Sequence, residues 1–239
     1  MRRAGIIAGN ALHFGGRSIK VGMTTYELDK IIHDYIVKNG AKPSFLGYGG
    51  FKGSACISIN NEVIHGIPSK KRKICDGDIV SIDVGAYIDG FHGDTAYTFA
   101  VGNVSEEAKQ LLRVTEESLY KGIEQAVAGN RIGDIGHAIE EHCTSFGYGI
   151  VRKYIGHGVG RELHESPEVP NYGKAGHGPR LVNGMTIAIE PMINAVGDDV
   201  KVLPDGWTVL TKSGSISAHF EHSVAVTSDG PVLLTKPTI

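Results

Sequence analysis

The sequence predicts an α+β fold in which two similar halves are related by a pseudo-twofold axis. Residues 80–99 alternate strand-forming and other residues around an Asp-Gly pair, a pattern that is typical of a β-hairpin. When the sequence is compared with itself at a constant offset, predicted helices of one half align with predicted helices of the other, and predicted strands with predicted strands. The chain has 239 residues, with 41% hydrophobic and 21% charged residues, which are values of a globular protein with a sizeable core.

Composition and charge exclude several function classes. The formal net charge of -2 argues against nucleic acid or an anionic membrane as the main partner. No apolar run approaches the roughly 18–20 residues of a membrane helix, and no signal peptide is predicted at the N-terminus. The cysteines are odd in number, which favours reduced thiols in a cytoplasmic protein; they are Cys56, Cys75 and Cys143.

The predicted hairpin carries two carboxylates. With Asp89-Gly90 as a two-residue turn, Ile88 faces Phe91 and Asp94 faces Gly85. Asp83 then lies two residues from Gly85 on the same strand, so both carboxylates point to one face as diagonal neighbours, roughly 7–8 Å apart at Cα. Two ionised carboxylates this close repel each other unless a proton or a cation lies between them. Taken alone, the pair is better explained as two surface acids beside a turn, since short motifs often mislead.

Helices are predicted from caps and from the spacing of apolar residues. Residues 3–14 form a first helix that has no cap, and we expect that a few residues precede it in the natural protein. Thr24 to Glu27 form a capping box for a second helix, which Gly40 ends. Two more helices are predicted over residues 105–128, capped by Ser105, and over residues 132–146, ended by Gly147.

Strands are predicted where β-branched residues are bounded by Gly, Pro or Asn. Besides the hairpin arms, they cover residues 55–60, 62–68, 154–160, 186–190, 207–210 and 217–227. Residues 45–51 form a glycine-rich aromatic loop, and residues 163–167 and 170–180 are predicted as loops.

The two halves repeat at an offset of 107 residues. Gly-Asp-Ile-Val-Ser-Ile-Asp at 77–83 falls on Gly-Met-Thr-Ile-Ala-Ile-Glu at 184–190, so that Glu190 corresponds to Asp83. A pseudo-twofold arrangement would bring these acids face to face. We therefore predict a single catalytic domain over residues 1–239, with halves at roughly 1–105 and 106–239.

The acids of both halves and one glycine-flanked histidine form a candidate metal site. Its members are Asp83, Asp94, His157, Glu190 and Glu221. Four carboxylates carry about -4 of charge, which two divalent cations would neutralise, and two ions about 3.5–4 Å apart are a common hydrolytic arrangement. Oxygen ligands with one imidazole and no thiolate suit manganese, iron(II), cobalt or zinc. A turn cap would explain Asp94 alone and core packing would explain His157 alone, but neither explains the five together.

Several motifs together resemble the type I methionine aminopeptidases of bacteria. They are His65-Gly-Ile-Pro, Gly-Asp-Ile-Val-Ser-Ile-Asp83, Gly-Phe-His-Gly-Asp94, Gly-His157-Gly-Val-Gly, Leu-His164-Glu, Ala-Ile-Glu190-Pro and His-Phe-Glu221-His. The resemblance covers essentially the whole chain. It implies the pita-bread fold, a pseudo-symmetric α+β domain in which a curved, mostly antiparallel sheet carries two metal ions and helices lie outside. It also implies that the five residues above are the ligands, with Asp94 and Glu221 bridging.

The resemblance implies a reaction and roles for three further groups. A metal-bridging hydroxide would attack the carbonyl of the first peptide bond, and Glu190 would shuttle the proton to the leaving amine. His164 would stabilise the oxyanion and His65 would contact the substrate near the metals, so both are predicted to be catalytic and substrate-binding. By position alone, each of these two histidines is as well explained as a loop residue satisfied by its neighbours.

A substrate pocket is also implied, since a methionine thioether packs well against aromatic rings. The predicted pocket residues are Tyr48, Phe51, Cys56 and Trp207, together with Phe45 and Leu163, which lie where the family varies. Ordinary core packing is the alternative, above all for Cys56. Hydrophobic fit discriminates only modestly between side chains.

The implied activity is removal of the N-terminal methionine from nascent or newly made proteins, with a small second residue. The implied cofactors are two divalent ions per chain, and the implied partners are a peptide N-terminus and, transiently, the ribosome. No specific nucleic acid and no membrane are expected as partners. The resemblance further implies a cytoplasmic monomer, and the lack of a zinc-finger extension or of a large insertion favours the bacterial type.

Two rival functions stay open at the level of sequence. The first is an aminopeptidase P or prolidase of the same fold, although these usually carry an extra N-terminal domain. The second is a non-catalytic binding module that kept the fold, for instance a ribosome-associated protein. Such modules are expected to lose metal ligands, and this chain has lost none.

Overall fold

The computed structural model describes residues 1–239 and contains four α-helices. The helices are α1 (Arg2–Ser18), α2 (Thr25–Lys38), α3 (Glu106–Glu124) and α4 (Ile132–Ser145). None of them combines the length and the apolar character that a helix needs to cross a membrane.

The strands are mostly short, and the hairpin arms are the longest. They are β1 (Lys42–Pro43), β2 (Ala55–Ile59), β3 (Glu62–Ile64), β4 (Ile79–Ile88), β5 (Phe91–Ala100), β6 (Gly149–Ile150), β7 (Gly156–Gly158), β8 (Glu165–Val169), β9 (Thr186–Ile189), β10 (Met192–Asn194), β11 (Val200–Val202), β12 (Val209–Thr211), β13 (Ser217–His219), β14 (Glu221–Ala225) and β15 (Val232–Leu233).

A nine-stranded antiparallel sheet forms the centre of the fold. Its order is β1-β4-β5-β14-β9-β7-β8, with β2 also paired to β4 and β15 to β14. Two three-stranded sheets, β13-β10-β6 and β11-β12-β3, lie beside it. The hairpin β4-β5 of the first half meets the pair β14-β9 of the second half at the β5-β14 boundary, and the two halves are joined there.

The hairpin has the predicted register. Ile88 pairs with Phe91 and Gly85 with Asp94, and the pairing continues without a bulge to Ile79 and Ala100. Asp89 and Gly90 in the turn have φ of 54° and 82°, the backbone that a tight two-residue turn requires. The two acids therefore lie on one face of the hairpin, as predicted.

Helix starts agree with their predicted caps. Thr24 and Glu27 form a reciprocal capping box, and the Ser105 hydroxyl accepts a hydrogen bond from the Ala108 amide at 3.1 Å. The helix predicted to reach residue 128 is shorter, since α3 ends at Glu124. Beyond it the chain leaves the helix direction and pairs with a later segment of the same half, where the Gly129 amide donates to the carbonyl of Leu181.

Several strand predictions were wrong in position. Residues 165–169, predicted partly as a loop, form the edge strand β8, and its Pro167 is tolerated there because an edge strand leaves N–H positions unpaired. The strand predicted over residues 62–68 ends at Ile64 because His65 has a φ of 58°. Trp207 precedes its strand rather than lying on it.

Two further strand predictions differ in extent. The strand predicted over residues 217–227 is divided at Phe220 into β13 and β14, which belong to different sheets. The strand predicted over residues 154–160 is reduced to the three residues of β7.

Each half has its own hydrophobic core between its helices and one face of the sheet. In the first half, the core includes Leu28 of α2, Ile57 of β2 and Ile82 of β4; in the second, Ile139 of α4 and Val224 of β14 do the same. Since side chains alternate along a strand, neighbouring residues such as Asp83 and Glu221 point to the opposite face. The candidate site therefore lies on the side of the sheet that faces away from the helices.

Candidate metal centre

A cavity of about 600 Å³ opens on that face of the sheet. All thirteen residues predicted for the site line it: Phe45, Tyr48, Phe51, Cys56, His65, Asp83, Asp94, His157, Leu163, His164, Glu190, Trp207 and Glu221. They come from both halves of the chain and from loops as well as strands. The cavity has a charged end, formed by the acids and histidines, and an apolar wall.

The acids converge where β5 meets β14. One ligand-type atom from each of Asp94, His157 and Glu221 lies within 4.8 Å of the others. The two strands are fixed by buried side-chain bonds: the Ser223 hydroxyl donates to the Asp94 carbonyl at 2.7 Å, and the Thr95 hydroxyl donates to the Glu221 carbonyl at 2.8 Å. The main chains of Asp94 and Glu221 are thus held together by strand pairing and by buried hydroxyls, independently of the conformation of the two carboxylate side chains.

Three of the acids each have one buried carboxylate oxygen that lacks a partner within the protein. These acids are Asp83, Asp94 and Glu221. Burial raises the pKa of Asp94 to about 7, and burial together with repulsion from neighbouring carboxylates raises the pKa of Glu221 well above its usual value. Burial and the Asp94 charge act on the pKa of Asp83 and Glu190 in the same direction. Buried, unpaired acid oxygens are costly on their own and fit a divalent cation.

His157 presents one nitrogen to this cluster. Its Nδ1 lies 2.8 Å from the carbonyl oxygen of Gly158, so Nδ1 carries the proton and the Nε2 lone pair faces the acids, with Nε2 3.5 Å from Oε1 of Glu190. Burial lowers the pKa of His157 to about 4, which keeps the ring neutral. A neutral imidazole oriented by a backbone carbonyl is the usual form of a metal ligand. The donor set therefore fits the divalent cations expected from the sequence.

Two further histidines border the cluster. The ring centroids of His164 and His157 are 4.2 Å apart, and Nδ1 of His164 lies 2.8 Å from the Tyr48 hydroxyl. His65 packs edge-on against Trp207, with ring centroids 6.1 Å apart. Burial lowers the pKa of both histidines, that of His65 to about 4. Neutral rings beside a charged centre are suited to donate or accept hydrogen bonds without adding charge.

The apolar wall is a separate small cluster. Phe45, Phe51, Cys56 and Leu163 are buried together, and Trp207 packs against them with its ring centroid 5.1 Å from that of Phe51. Burial and the nearby Asp83 charge raise the pKa of the Cys56 thiol well above its usual value, so this thiol is a packing group and a poor nucleophile. All three cysteines are free thiols, as predicted.

Sequence reasoning missed His219 as part of the site. It is buried, its Nε2 has no hydrogen-bond partner, and this atom lies 3.6 Å from Oε2 of Glu190. Burial lowers its pKa to about 3. The signal was available, since His219 stands two residues before Glu221 and a period of two places both on one face.

Other residues were missed because they lie on irregular or misassigned segments. The amide nitrogen of Asn171 donates to the Glu190 carbonyl at 2.9 Å from within a Gly/Pro-rich loop. Glu165 and Glu168 line the mouth of the cavity from β8, which was not predicted as a strand. Lys153 and Tyr154 line the same mouth. No local pattern marks these residues, because their approach depends on the tertiary fold.

The chain matches a protein-family model. The model described as metallopeptidase family M24 matches residues 1–228. Among curated relatives, a methionine aminopeptidase of Clostridium acetobutylicum is 54% identical over 235 residues, covering 98% of this chain and 94% of the relative. Methionine aminopeptidase 1 of Bacillus subtilis is 51% identical and covers 99% of this chain and 95% of the relative.

Solved structures give the same fold. A methionine aminopeptidase from Thermotoga maritima superposes with a TM-score of 0.97 at 46% identity, covering 99% of this chain and 95% of that one. The prolidase from Pyrococcus horikoshii superposes with a TM-score of 0.78 at 27% identity, covering 99% of this chain but 60% of that one. The fold expected from the sequence is confirmed by these superpositions.

Proposed function

This chain belongs to metallopeptidase family M24 and is a metal-dependent aminopeptidase that removes N-terminal methionine, and we propose that Asp83, Asp94, His157, Glu190 and Glu221 hold its metal ions. The observation that carries the proposal is the convergence of ligand-type atoms from Asp94, His157 and Glu221 within 4.8 Å. The partnerless buried oxygens of the same cluster support it.

We propose that two divalent cations would be held here and that Asp94 and Glu221 would contribute to the binding of both. These acids lie on β5 and β14, the adjacent strands at the boundary between the halves, and one further acid from each half lies in the same cavity. When bound, the ions supply Lewis-acid activation of a water molecule and of the scissile carbonyl. The ligand chemistry is consistent with cobalt, manganese, iron(II) or zinc.

Glu190 is proposed to move the proton between the attacking water and the leaving amine. Its carboxylate lies within 3.6 Å of nitrogens on two buried histidines, His157 and His219. Neither ring is suited to take up the proton by itself, because burial lowers the pKa of both far below neutrality. A carboxyl group with a raised pKa is the group in this cluster that can both take and release a proton.

His164 and His65 are proposed to hold the substrate at the reacting bond. His164 lies beside His157, and a ring N–H in this position can donate to the oxygen of the scissile carbonyl as negative charge develops. His65 lies against Trp207, between the charged end of the cavity and its apolar wall. It is suited to contact the substrate next to the first residue.

The apolar wall is proposed to receive the methionine side chain. The thioether would pack against Phe51 and Trp207, and Phe45, Tyr48, Cys56 and Leu163 would complete the pocket. The free amine of the substrate would then lie at the charged end, which restricts cleavage to the first peptide bond. A small second residue follows from the resemblance and is part of the proposal.

Cleavage beside proline is the rival activity, because the fold is shared with a prolidase at a TM-score of 0.78. Identity favours methionine removal, since the methionine aminopeptidases of Clostridium acetobutylicum and Bacillus subtilis are 54% and 51% identical over nearly their whole length, against 27% for the prolidase. A non-catalytic role is disfavoured because every predicted ligand lines the cavity.

The peptide N-terminus is the partner that the activity requires. We further propose a cytoplasmic monomer that acts on new proteins during a transient encounter with the ribosome. The balanced net charge of -2 supports the absence of stable nucleic-acid or membrane binding.

Metal analysis paired with peptide hydrolysis tests the proposal. The purified chain should contain close to two divalent ions and cleave a methionyl tripeptide with alanine in second position. Chelation should remove metal and activity together, and adding back one metal at a time should restore activity to different extents. Preferential cleavage of an Xaa-Pro peptide would overturn the substrate assignment, and full activity after complete chelation would overturn the metal assignment.

A further inference from the structure

The hydroxyl of Tyr48 makes a specific contact with a catalytic-site histidine. It lies 2.8 Å from Nδ1 of His164, and the two rings are 5.3 Å apart at their centroids. Tyr48 belongs to the short 3-10 turn Tyr48–Gly50, whereas His164 lies 116 positions further along the chain. The contact therefore joins two segments that are distant in the sequence, through a polar atom of each side chain.

The turn holds this hydroxyl in place by its backbone. Gly47, Gly49 and Gly50 all have positive φ, and a side chain at Gly49 would lie 3.2 Å from the Trp207 ring. The backbone of Gly47 and Phe51 closes the turn with an N–O distance of 2.9 Å. The positive φ of these three glycines, one of which lies against the Trp207 ring, defines the turn from which the Tyr48 hydroxyl reaches His164.

We propose that Tyr48 is a positioning residue that fixes the tautomer of His164, an inference that rests on the proposed role of His164 in the peptidase reaction. In a neutral imidazole one nitrogen donates and the other accepts. A phenol is a strong donor through its O–H and a weak acceptor through its ring-conjugated oxygen. The Tyr48 hydroxyl therefore donates to a bare Nδ1, which leaves the proton on Nε2.

The chemical consequence concerns what His164 offers to the site. With its proton on Nε2, the ring presents a donor to the substrate carbonyl oxygen and has no lone pair there. In the other tautomer, Nε2 would present a lone pair, which repels a carbonyl oxygen and competes with His157 for a cation; the rings of the two histidines are only 4.2 Å apart. Tyr48 thus keeps His164 a hydrogen-bond donor and keeps it out of the ligand set.

Nitrogen NMR of the metal-free chain labelled with ¹⁵N-histidine tests the tautomer directly. Protonated and bare imidazole nitrogens have well-separated shifts, and a His164→Gln variant identifies the His164 signals. We expect a protonated Nε2 and a bare Nδ1 in the unmodified chain, and a mixture of tautomers in Tyr48→Phe. A protonated Nδ1 in the unmodified chain, or an unchanged spectrum in Tyr48→Phe, would overturn the inference.

Kinetics separate positioning from pocket packing. Tyr48→Phe keeps the ring, so we expect kcat on a methionyl tripeptide to fall about tenfold while KM changes less than about twofold. In a His164→Ala background the same change should have no further effect; a full tenfold loss there would show that Tyr48 acts independently of His164 and would refute the inference.

The control variant is Tyr120→Phe, which removes the hydroxyl of a tyrosine on the opposite side of the sheet. The residue has an exposure similar to that of Tyr48 (42% against 46%), and its substitution should leave kcat unchanged. Failure of the unmodified chain to cleave the peptide would refute the proposed function but not the NMR result.

Discussion

The two halves of the molecule each bring two carboxylates to the cavity, but they do so by different means. In the first half, Asp83 and Asp94 lie on β4 and β5, ten residues each, which are joined by a two-residue turn. In the second half, Glu190 follows the four-residue strand β9, and Glu221 begins the five-residue strand β14. The connection between them carries four additional strands and the pocket residue Trp207.

The first half therefore positions its acids through local strand pairing, whereas the second half positions them through contacts between distant segments. The hairpin sets the spacing of its two acids by register alone, so it is a rigid template for half of the centre. The second half must fix its acids through contacts with distant segments, such as the Ser223 hydroxyl bonded to the Asp94 carbonyl at 2.7 Å. Its long connection also supplies Trp207 to the apolar wall.

The largest effect is expected from removing one bridging charge from either half. Asp94→Asn and Glu221→Gln should each lower turnover of a methionyl tripeptide by more than about a hundredfold, since even outer-shell partners of a metal are worth about 10–100-fold. Bound metal should fall in parallel. Asp34→Asn, which alters an exposed acid on α2 paired with Lys30, is the matched control and should leave turnover and bound metal unchanged.

Equal losses would show that the halves contribute equally to the centre despite their different construction. Near-normal turnover in either variant would contradict the bridging assignment for that acid. A loss in Asp94→Asn alone would mean that the hairpin holds the metal by itself and that Glu221 has only a structural role.

His164, the proposed oxyanion donor on the second half, should behave differently from the acids. His164→Ala is expected to lower kcat about a hundredfold, the usual effect of removing one donor to a developing oxyanion, while metal content is retained. The expectation follows from its position beside His157 rather than among the acids. Metal analysis and kinetics on the same preparation check this, and a metal loss that matched the activity loss would exclude the oxyanion role.

The same comparison explains how much of the molecule could be predicted from the sequence. The register of β4 and β5 and the caps at Thr24 and Ser105 follow from local patterns, and the structure agrees with each. The expectation that the five candidate ligands lie together comes from the 107-residue repeat and the family resemblance, and all five line one cavity. Period-two alternation would also have identified His219, had it been applied to that strand.

The remaining features depend on contacts between distant segments. Strand β8 exists because it pairs with β7, although its own residues include Pro167 and favour a loop. The division at Phe220 arises because β13 joins β10 while β14 joins β5 and β9. Neither partner can be read from residues 163–169 or 217–227 alone, and for this reason the second half was predicted less accurately than the first.

The cluster of acids should make the metal-free protein sensitive to pH. A carboxyl group whose pKa is raised by folding stabilises the fold fully below its unfolded pKa of about 4, and this contribution is lost as the pH rises through the folded value. Burial raises the pKa of Asp94 to about 7. The metal-free chain should therefore lose stability between about pH 4 and pH 7, by at most about 1.4 kcal/mol per pH unit for each such group.

Thermal unfolding of the metal-free chain across this range provides the measurement. Because the acids of both halves share one cluster, Asp94→Asn should reduce the slope and divalent metal should reverse it. A stability that stays flat between pH 4 and pH 7, or that rises with pH, would show that burial does not raise the pKa of these acids in the folded chain.

The smallest effects are expected from alanine substitutions at two glycines, one in the hairpin of the first half and one on a strand of the second half. Gly90 lies in the hairpin turn with a φ of 82° and open space around it, so Gly90→Ala should cost only about 1–2 kcal/mol of backbone strain and leave turnover intact. Gly156 on β7 precedes His157, and an added Cβ would lie 2.3 Å from the Ala188 carbonyl oxygen on β9. That contact must be relieved by moving a strand, so Gly156→Ala should destabilise the chain by about 1–3 kcal/mol and also weaken metal binding through His157. Denaturant unfolding and metal titration of both variants measure these effects. If Gly90→Ala lost metal as readily as Gly156→Ala, the hairpin would depend on its surroundings to position its acids as much as the second half does.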